Sequence, residues 1–379
     1  MEIFRGLEGV HIDTTHICQI DGQKGELIYS GYDINELADK ATYEEVVWLL
    51  WHGELPTQAE LADFKKTLAA NYNVSEAVFD LLRSVPKNTQ PMHAIRSALS
   101  VLATFDEHSE EVDVENVKHI GIKLVAQFPT ITAAYQRIRN GQDPVAPDPD
   151  LGIAANFLYM LSGEKPTDAA VRVMDVALVL HAEHGSNAST FTARAAASSL
   201  TDVYSAITAA MASLKGPLHG GANTAVMHAL EEIGERDKVE GYVLEQLNKP
   251  HGRVMGFGHR VYKVLDPRAT ILRHVAEELS QESPESKWFE MSLEMEAIMD
   301  REMETRGRQV KPNVDFFSAS VYRMLGFQAD MYTPIFAVAR VAGWMAHLIE
   351  QYANNRIMRP RLAYEGERGK TFVPIEERG

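Results

Sequence analysis

Four stretches of the chain place Gly, Pro and His where core filling would not ask for them: HAEHGSN at 181–187, KGPLHGGAN at 215–223, RVMGFGHRVYKVLDPRA at 253–269 and KPNVDFFSA at 311–319. In the second, Gly216 and Pro217 end one helix, Gly220 and Gly221 permit a turn, and another helix starts near Ala222. His219 therefore sits at a helix N-terminus. The dipole there disfavours an imidazolium, which suits a neutral ring that donates to a developing oxyanion. The plain alternative is a loop histidine beside glycines. In the third stretch, Gly256 and Gly258 free the backbone before His259 to lie against a ligand, and Asp266-Pro267 opens a helix. Arg268 then falls in the first turn, where a cation is disfavoured, so it meets an anion or a buried acid unless it simply faces solvent.

Asp315 lies at or near a helix start among Val314, Phe316 and Phe317. A carboxylate in apolar surroundings is a candidate base, while an Asp near a helix start is equally a common cap. His181 and His184 stand three apart on one helix face; a metal would need a third ligand that spacing does not identify, and none is assigned. Arg340 interrupts the apolar run MYTPIFAVARVAGWMAHLIE, and a buried Arg needs a carboxylate from protein or ligand. Arg359 falls in a basic patch with Arg356 and Arg361, otherwise read as a solvated tail. Together, three arginines, two or three histidines and one carboxylate suit a small polycarboxylate substrate. They also suit removal of a proton α to a carbonyl, without a metal.

The blocks GPLHGGAN, GFGHRVYK with DPRA, and PNVDFFSA, in this order and spacing, resemble the signature segments of the citrate synthase family. The likeness runs from GLEGVHID near the N-terminus to Arg359-Pro360, nearly the whole chain. It implies that Asp315 deprotonates the methyl of acetyl-CoA, that His219 donates to the thioester enolate oxygen, and that His259 polarises the oxaloacetate carbonyl. His184, Arg268 and Arg340 would hold substrate carboxylates, and Arg359 would reach the site of a second copy in an obligate homodimer. Arg253, Val254, Met255, Gly256, Phe257 and Gly258 would lie along CoA, with Lys263 and Lys311 as candidates for its phosphates. CoA enters as a substrate thioester, and no resident cofactor is expected.

The same resemblance implies an all-α fold. A large helical domain at 1–220 and 327–379 would carry the dimer contact and the oxaloacetate site, and a small helical domain at 221–326 would close over the cleft. The length matches the short dimeric form of archaea and many bacteria. Besides a catalytically idle helical interaction module, for which the four glycine–histidine segments would be needless, two other readings stay open. One is 2-methylcitrate synthase, with the same residues acting on propionyl-CoA; the other, of a different class, is a metal-dependent hydrolase built on His181 and His184.

Elements able to position these groups are readable from periodicity. TTHICQIDGQKGELIYSG reads as a hairpin turning at Asp21-Gly22 with a second glycine at Gly25, after which strand signals nearly vanish. Helical patterns follow over 43–50, 57–71, 75–85, 91–105, 113–139, 151–162, 167–184, 222–234, 238–249, 267–281, 286–305, 314–325 and 333–354. Asp33 with Glu36, and Thr57 with Glu60, look like capping boxes, and Pro129 is expected to kink or split the helix that contains it. Between 188 and 214 small residues let two backbones approach, at a helix–helix or a subunit contact. The resemblance favours the subunit contact.

Composition excludes several classes. The 379 residues carry 53 acidic and 37 basic side chains, a net charge of −16, which argues against general nucleic-acid or anionic-membrane binding. An anionic substrate therefore needs a local arginine cluster working against the global field. A single cysteine, Cys18, allows no intrachain disulfide and no Cys-based metal cage. The apolar run 335–349 is broken by Arg340 and His347, so it is no membrane span, and the charged N-terminus lacks a signal-peptide pattern. A cytoplasmic enzyme is expected.

Overall fold

The structure, a computed structural model, describes residues 3–250, 252–259 and 261–378. Arg260, inside the GFGHRVYK motif, lies outside the described residues. The hairpin forms as expected, with β1 (Cys18–Asp21) antiparallel to β2 (Glu26–Tyr29) in the register Cys18↔Tyr29 to Asp21↔Glu26. A two-residue strand β3 (Tyr32–Asp33) extends this small sheet.

Everything else regular is helical: α1 (Ile34–Lys40), α2 (Tyr43–His52), α3 (Gln58–Ala70), α4 (Glu76–Ser84), α5 (Pro91–Leu102), α6 (Val114–Arg139), α7 (Ile153–Ser162) and α8 (Asp168–Ala182) come first, with short 3₁₀ turns between some of them. They are followed by α9 (Ala188–Ala197), α10 (Val203–Leu214), α11 (Ala222–Ile233), α12 (Val239–Asn248), α13 (Pro267–Ser280), α14 (Lys287–Thr305), α15 (Val314–Met324) and α16 (Tyr332–Ala353). The fold is all-α.

Local chemistry explains most boundaries. Thr57 and Glu60 form the expected reciprocal capping box on α3, and Thr42 with Glu45 forms a second on α2. At α1 the expected box is only half made. Asp33 caps through the Asn35 N–H, while Glu36 pairs instead with Lys40 at 3.2 Å. α6 runs unbroken through Pro129, so the chain is not split there. A proline inside a helix costs about 3 kcal/mol. Its neighbours Phe128, Ile131 and Tyr135 are each fully buried, and at about 1.5–3 kcal/mol per large side chain their packing outweighs that cost.

α16 is the central strut. It packs against α2, α6, α8 and α9 and is buried along nearly its whole length, Arg340 and His347 included. A second group of helices gathers around α15, which packs on α11, α13 and α14, with α12 on α14. α13 also reaches α8 and α1, joining the two groups. No helix among the described residues is long and apolar enough to cross a membrane.

Candidate active site

Asp315 is the second residue of α15, and the side chain of Asn313 caps that helix by accepting the Asp315 N–H at 3.0 Å. One carboxylate oxygen, Oδ1, is buried with no hydrogen-bond partner among the described residues. Burial pushes the carboxyl up to about 6, the Asp266 charge adding to it and the nearby Arg268 opposing it. A carboxylate short of hydrogen bonds and raised toward neutrality is equipped to take a proton.

His219 lies in the turn between α10 and α11. Its Nε2 faces the N–H of Ser189 at 3.3 Å and the Ser189 hydroxyl at 2.8 Å. A backbone N–H can only donate, so Nε2 is the acceptor and the neutral ring carries its proton on Nδ1. Burial, helped by the positive charge of Arg340, lowers the imidazole to about 4, which keeps it neutral near pH 7. Ser189 is itself fixed. Trp344 Nε1 on α16 donates to its hydroxyl at 3.1 Å, and Asn187 accepts from its backbone as the cap of α9.

His259 reaches the same protonation state by a different route. Its Nδ1 accepts the N–H groups of Val261 at 3.0 Å and Tyr262 at 3.1 Å, so the proton sits on Nε2. Burial and Arg268 bring this ring to about 4 as well. His184 stands 5.5 Å away, ring centre to ring centre, with its Nε2 3.2 Å from the Tyr262 hydroxyl. Burial, Arg268 and Arg340 hold His184 well below the usual imidazole range.

Arg268 meets a buried acid. Its Nε and Nη2 form a fork on Asp266 at 3.0 and 2.8 Å, with both side chains almost wholly buried. Asp266 also caps α13 by accepting the Arg268 N–H at 3.0 Å, and it accepts the Val314 N–H at 3.2 Å, tying Arg268 to the first turn of the Asp315 helix. Burial alone would raise the Asp266 carboxyl, but Arg268 draws it below its ordinary value. Arg340 is buried differently: Nε donates to the His181 carbonyl at 2.7 Å, the guanidinium lies 4.8 Å from the Phe336 ring centre, and no carboxylate pairs with it among the described residues. Burial lowers its pKa, partly offset by the charge of Glu183. The charges of Arg268 and Arg340 both bear on Asp315 and on His184.

The 253–258 segment is zipped to the start of α15. Phe257 bridges Pro312, the Gly258 N–H donates to the Lys311 carbonyl at 2.8 Å, and the Asn313 N–H donates to the Gly256 carbonyl at 2.9 Å. Gly256 has φ +81°, and a Cβ there would sit 2.8 Å from Val226 Cγ2 and 2.9 Å from the Phe316 Cβ. Val254 is buried, whereas Arg253 and Met255 are exposed. Beside His259 lies a cavity of about 380 Å³, lined by Gly258, His259, Tyr262, Lys263, Asp266, Lys311 and neighbouring residues. Lys311 already pairs with Asp300 at 2.8 Å.

Arg359 is not brought to these groups; it is exposed in the tail after α16. His181 is buried inside α8, its Nδ1 bonded to the Ala177 carbonyl at 2.7 Å, and no cluster of three potential metal ligands occurs among the described residues. Ser189, Tyr262 and the double role of Asp266 were not singled out by the sequence. Ser189 carried no signal beyond its place after a helix cap, and Tyr262 none beyond following His259 by three.

Fold and site together define a class: an all-α enzyme whose ionisable groups suit removal of a proton beside a carbonyl and retention of an anionic substrate. The family model described as "Citrate synthase, C-terminal domain" matches residues 6–361. The chain is 47% identical over 379 residues to citrate synthase 2 of Bacillus subtilis, with 100% of both chains covered. It is also 40% identical to 2-methylcitrate synthase 2 of Corynebacterium glutamicum, covering 100% of this chain and 98% of that one. Among solved structures, the citrate synthase of Thermoplasma acidophilum, a ternary complex with carboxymethyl coenzyme A and oxaloacetate, superposes with a TM-score of 0.93 at 36% identity over 100% of both chains. The chain belongs to the citrate synthase family, transferases that condense acetyl-CoA with oxaloacetate.

Proposed function

We propose that Asp315 takes a proton from the methyl group of acetyl-CoA while His219 Nδ1–H donates a hydrogen bond to the thioester oxygen, giving an enolate held by that bond. His259 Nε2–H polarises the oxaloacetate carbonyl, the enolate carbon attacks it as the C=O π bond opens, and the resulting alkoxide takes the His259 proton. Water then cleaves the citryl thioester, releasing citrate and CoA. The observation that carries this reading is the unpartnered, buried Oδ1 of Asp315 alongside two imidazoles held neutral in fixed tautomers. His184, Arg268 and Arg340 hold the oxaloacetate carboxylates; that no acid forms an ion pair with Arg340 among the described residues suits an anion supplied by substrate. The 253–258 segment and the cavity bearing Lys263 and Lys311 take part of the CoA chain.

A large domain (1–220 and 327–379) and a small one (221–326) close over the bound substrates and exclude water until the carbon–carbon bond has formed. The chain works as a homodimer in which Arg359 of a second copy completes each site. Exposed apolar side chains at both ends support a partner surface: Ile3 and Phe4 at one, Leu362 and Phe372 at the other. The small-residue helices α9 and α10 supply the rest of the contact. A cytoplasmic location suits the single cysteine.

Thiol release from acetyl-CoA with oxaloacetate and no added metal tests the reaction. Acetyl-CoA is the preferred thioester, and because one methylene is worth only about 1–3 kcal/mol, some propionyl-CoA turnover is expected. A larger kcat/KM for propionyl-CoA would assign the chain to the 2-methylcitrate branch that the Corynebacterium relative represents. Mixing Arg359→Ala with Asp315→Asn tests the shared site. Each variant alone is inactive, whereas random reassociation recovers about a quarter of wild-type activity if the arginine crosses the dimer.

A further inference from the structure

We propose that the tip of the β1–β2 hairpin sets the donor geometry of His259, making Gly22 a positioning residue for carbonyl polarisation. The inference rests on the reading that His259 is the donor to oxaloacetate. Residues 261–264 form no helix or strand, so their shape depends on tethers. One side of this segment holds the site: Val261 N–H and Tyr262 N–H donate to His259 Nδ1, and the Tyr262 hydroxyl reaches His184. Its other side rests on the hairpin. The Lys263 N–H donates to the Gly22 carbonyl at 2.8 Å, and Val261 lies so close that a Cβ on Gly22 would collide with its carbonyl oxygen and sit 2.8 Å from its carbonyl carbon.

That carbonyl and the Tyr262 N–H belong to one planar peptide unit. Pushing the oxygen away from the hairpin must therefore rotate the N–H that holds His259 Nδ1. The hairpin tip is rigid enough to act as a stop, because Asp21 Oδ1 accepts the N–H groups of Gln23 and Lys24 at 3.0 and 3.1 Å and the Gly25 N–H donates to the Asp21 carbonyl at 2.9 Å. A segment more than 230 residues away in sequence thus presets which nitrogen of a site histidine carries its proton and where that proton points.

The test reads the substrate carbonyl directly. Oxaloacetate labelled with ¹³C at its keto carbon is bound to the wild-type protein and to Gly22→Ala, and the change in its NMR shift on binding measures polarisation. Gly22→Ala is expected to lose at least half of that change, with kcat falling about 10-fold or more, since misplacing a catalytic group by about 1 Å costs up to 10²-fold. Gly31→Ala serves as the control: it strains the same sheet at φ +92° but meets nothing within 4 Å, so it lowers melting temperature without moving the carbonyl signal. Should Gly22→Ala fold poorly, Asp21→Ala loosens the tip without adding atoms, and a partial loss of the signal is expected. A wild-type signal in Gly22→Ala, or an equal loss in Gly31→Ala, overturns the proposal. If His259→Ala retains the wild-type signal, the assignment of His259 is itself wrong, a failure distinct from that of the hairpin.

Discussion

His219 and His259 end in the same state, neutral and presenting one N–H, but they are built from different materials. His259 is held by two main-chain N–H groups two and three residues further along its own loop. His219 is held by Ser189, thirty residues earlier in the sequence and itself buttressed by Trp344 from α16. The main-chain clamp on His259 cannot be removed by deleting a side chain. The clamp on His219 can be removed in part, since the Ser189 hydroxyl goes with its side chain while the Ser189 N–H stays. One tautomeric state is thus secured in one place by local backbone geometry and in the other largely by tertiary packing.

The base lies outside this contrast and should dominate every measurement. Asp315→Asn is expected to lower kcat for thiol release by about 10³-fold, within the range for a general base, with modest change in oxaloacetate KM. His219→Ala and His259→Ala follow, each costing about 10²–10³-fold as for loss of one oxyanion donor. Their effects should separate by step. Exchange of acetyl-CoA methyl protons with solvent falls in His219→Ala and persists in His259→Ala, because only the former is assigned to enolisation. Equal loss of exchange in both variants would dissolve the distinction.

Ser189→Ala sharpens the comparison. It removes the hydroxyl at His219 Nε2 while leaving the backbone N–H, so the tautomer survives with a looser ring, and kcat should fall about 10-fold. Oxaloacetate binding, which the proposed mechanism gives to His259, His184 and the arginines, should be nearly unchanged. A rise in oxaloacetate KM with unaltered kcat would place Ser189 with the substrate rather than with His219. The pH profile follows from the same assignments. Asp315 at about 6 gives kcat/KM an acid limb in which activity rises as the carboxyl loses its proton, while imidazoles at about 4 add no limb between pH 6 and 8. A limb near 7 that moves in Ser189→Ala and not in Asp315→Glu would transfer it to His219.

Much of this architecture is legible in the chain because the signals are local. Periodicity and caps locate α2 to α8 and α11 to α16 to within a few residues, while α9 and α10 were read only as one small-residue stretch, and Gly-Pro punctuation marks His219, His259 and Asp315 as out of place in a simple core. The residues not foreseen act across the fold. Ser189 resembles any polar residue after an Asn cap, and only the return of the chain at 219 gives it a task. Asp266 is visible as a helix opener, yet its fork on Arg268 and its bond to the Val314 N–H depend on how α13 and α15 pack. Arg340 was expected to meet a carboxylate from protein or ligand, and among the described residues no acid forms an ion pair with it, although the Glu183 charge bears on it. Pro129 shows the opposite failure, a strong local signal for a break overridden by burial on both sides.

The smallest expected effect concerns stability, and it sets the base against the histidines. A carboxyl whose folded pKa is raised to about 6 from an ordinary 3.8 stabilises the fold most below pH 3.8, and that contribution is lost as pH rises through 6. Two units correspond to roughly 2–3 kcal/mol at most. Asp315→Asn should therefore melt a few degrees above wild type at pH 8, by about 2–5 °C, with the advantage shrinking toward zero near pH 4. The neutral imidazoles run the other way. Folded values near 4 against an ordinary 6.5 mean that the unfolded chain takes up protons first, so His219 and His259 cost stability as pH falls from 6.5 toward 4. His259→Gln should flatten this acid-side loss, whereas Asp315→Asn should steepen it. Calorimetric melts of the three proteins between pH 8 and 4.5 decide the matter, and parallel curves for all three would mean that none of these groups is desolvated as the geometry requires.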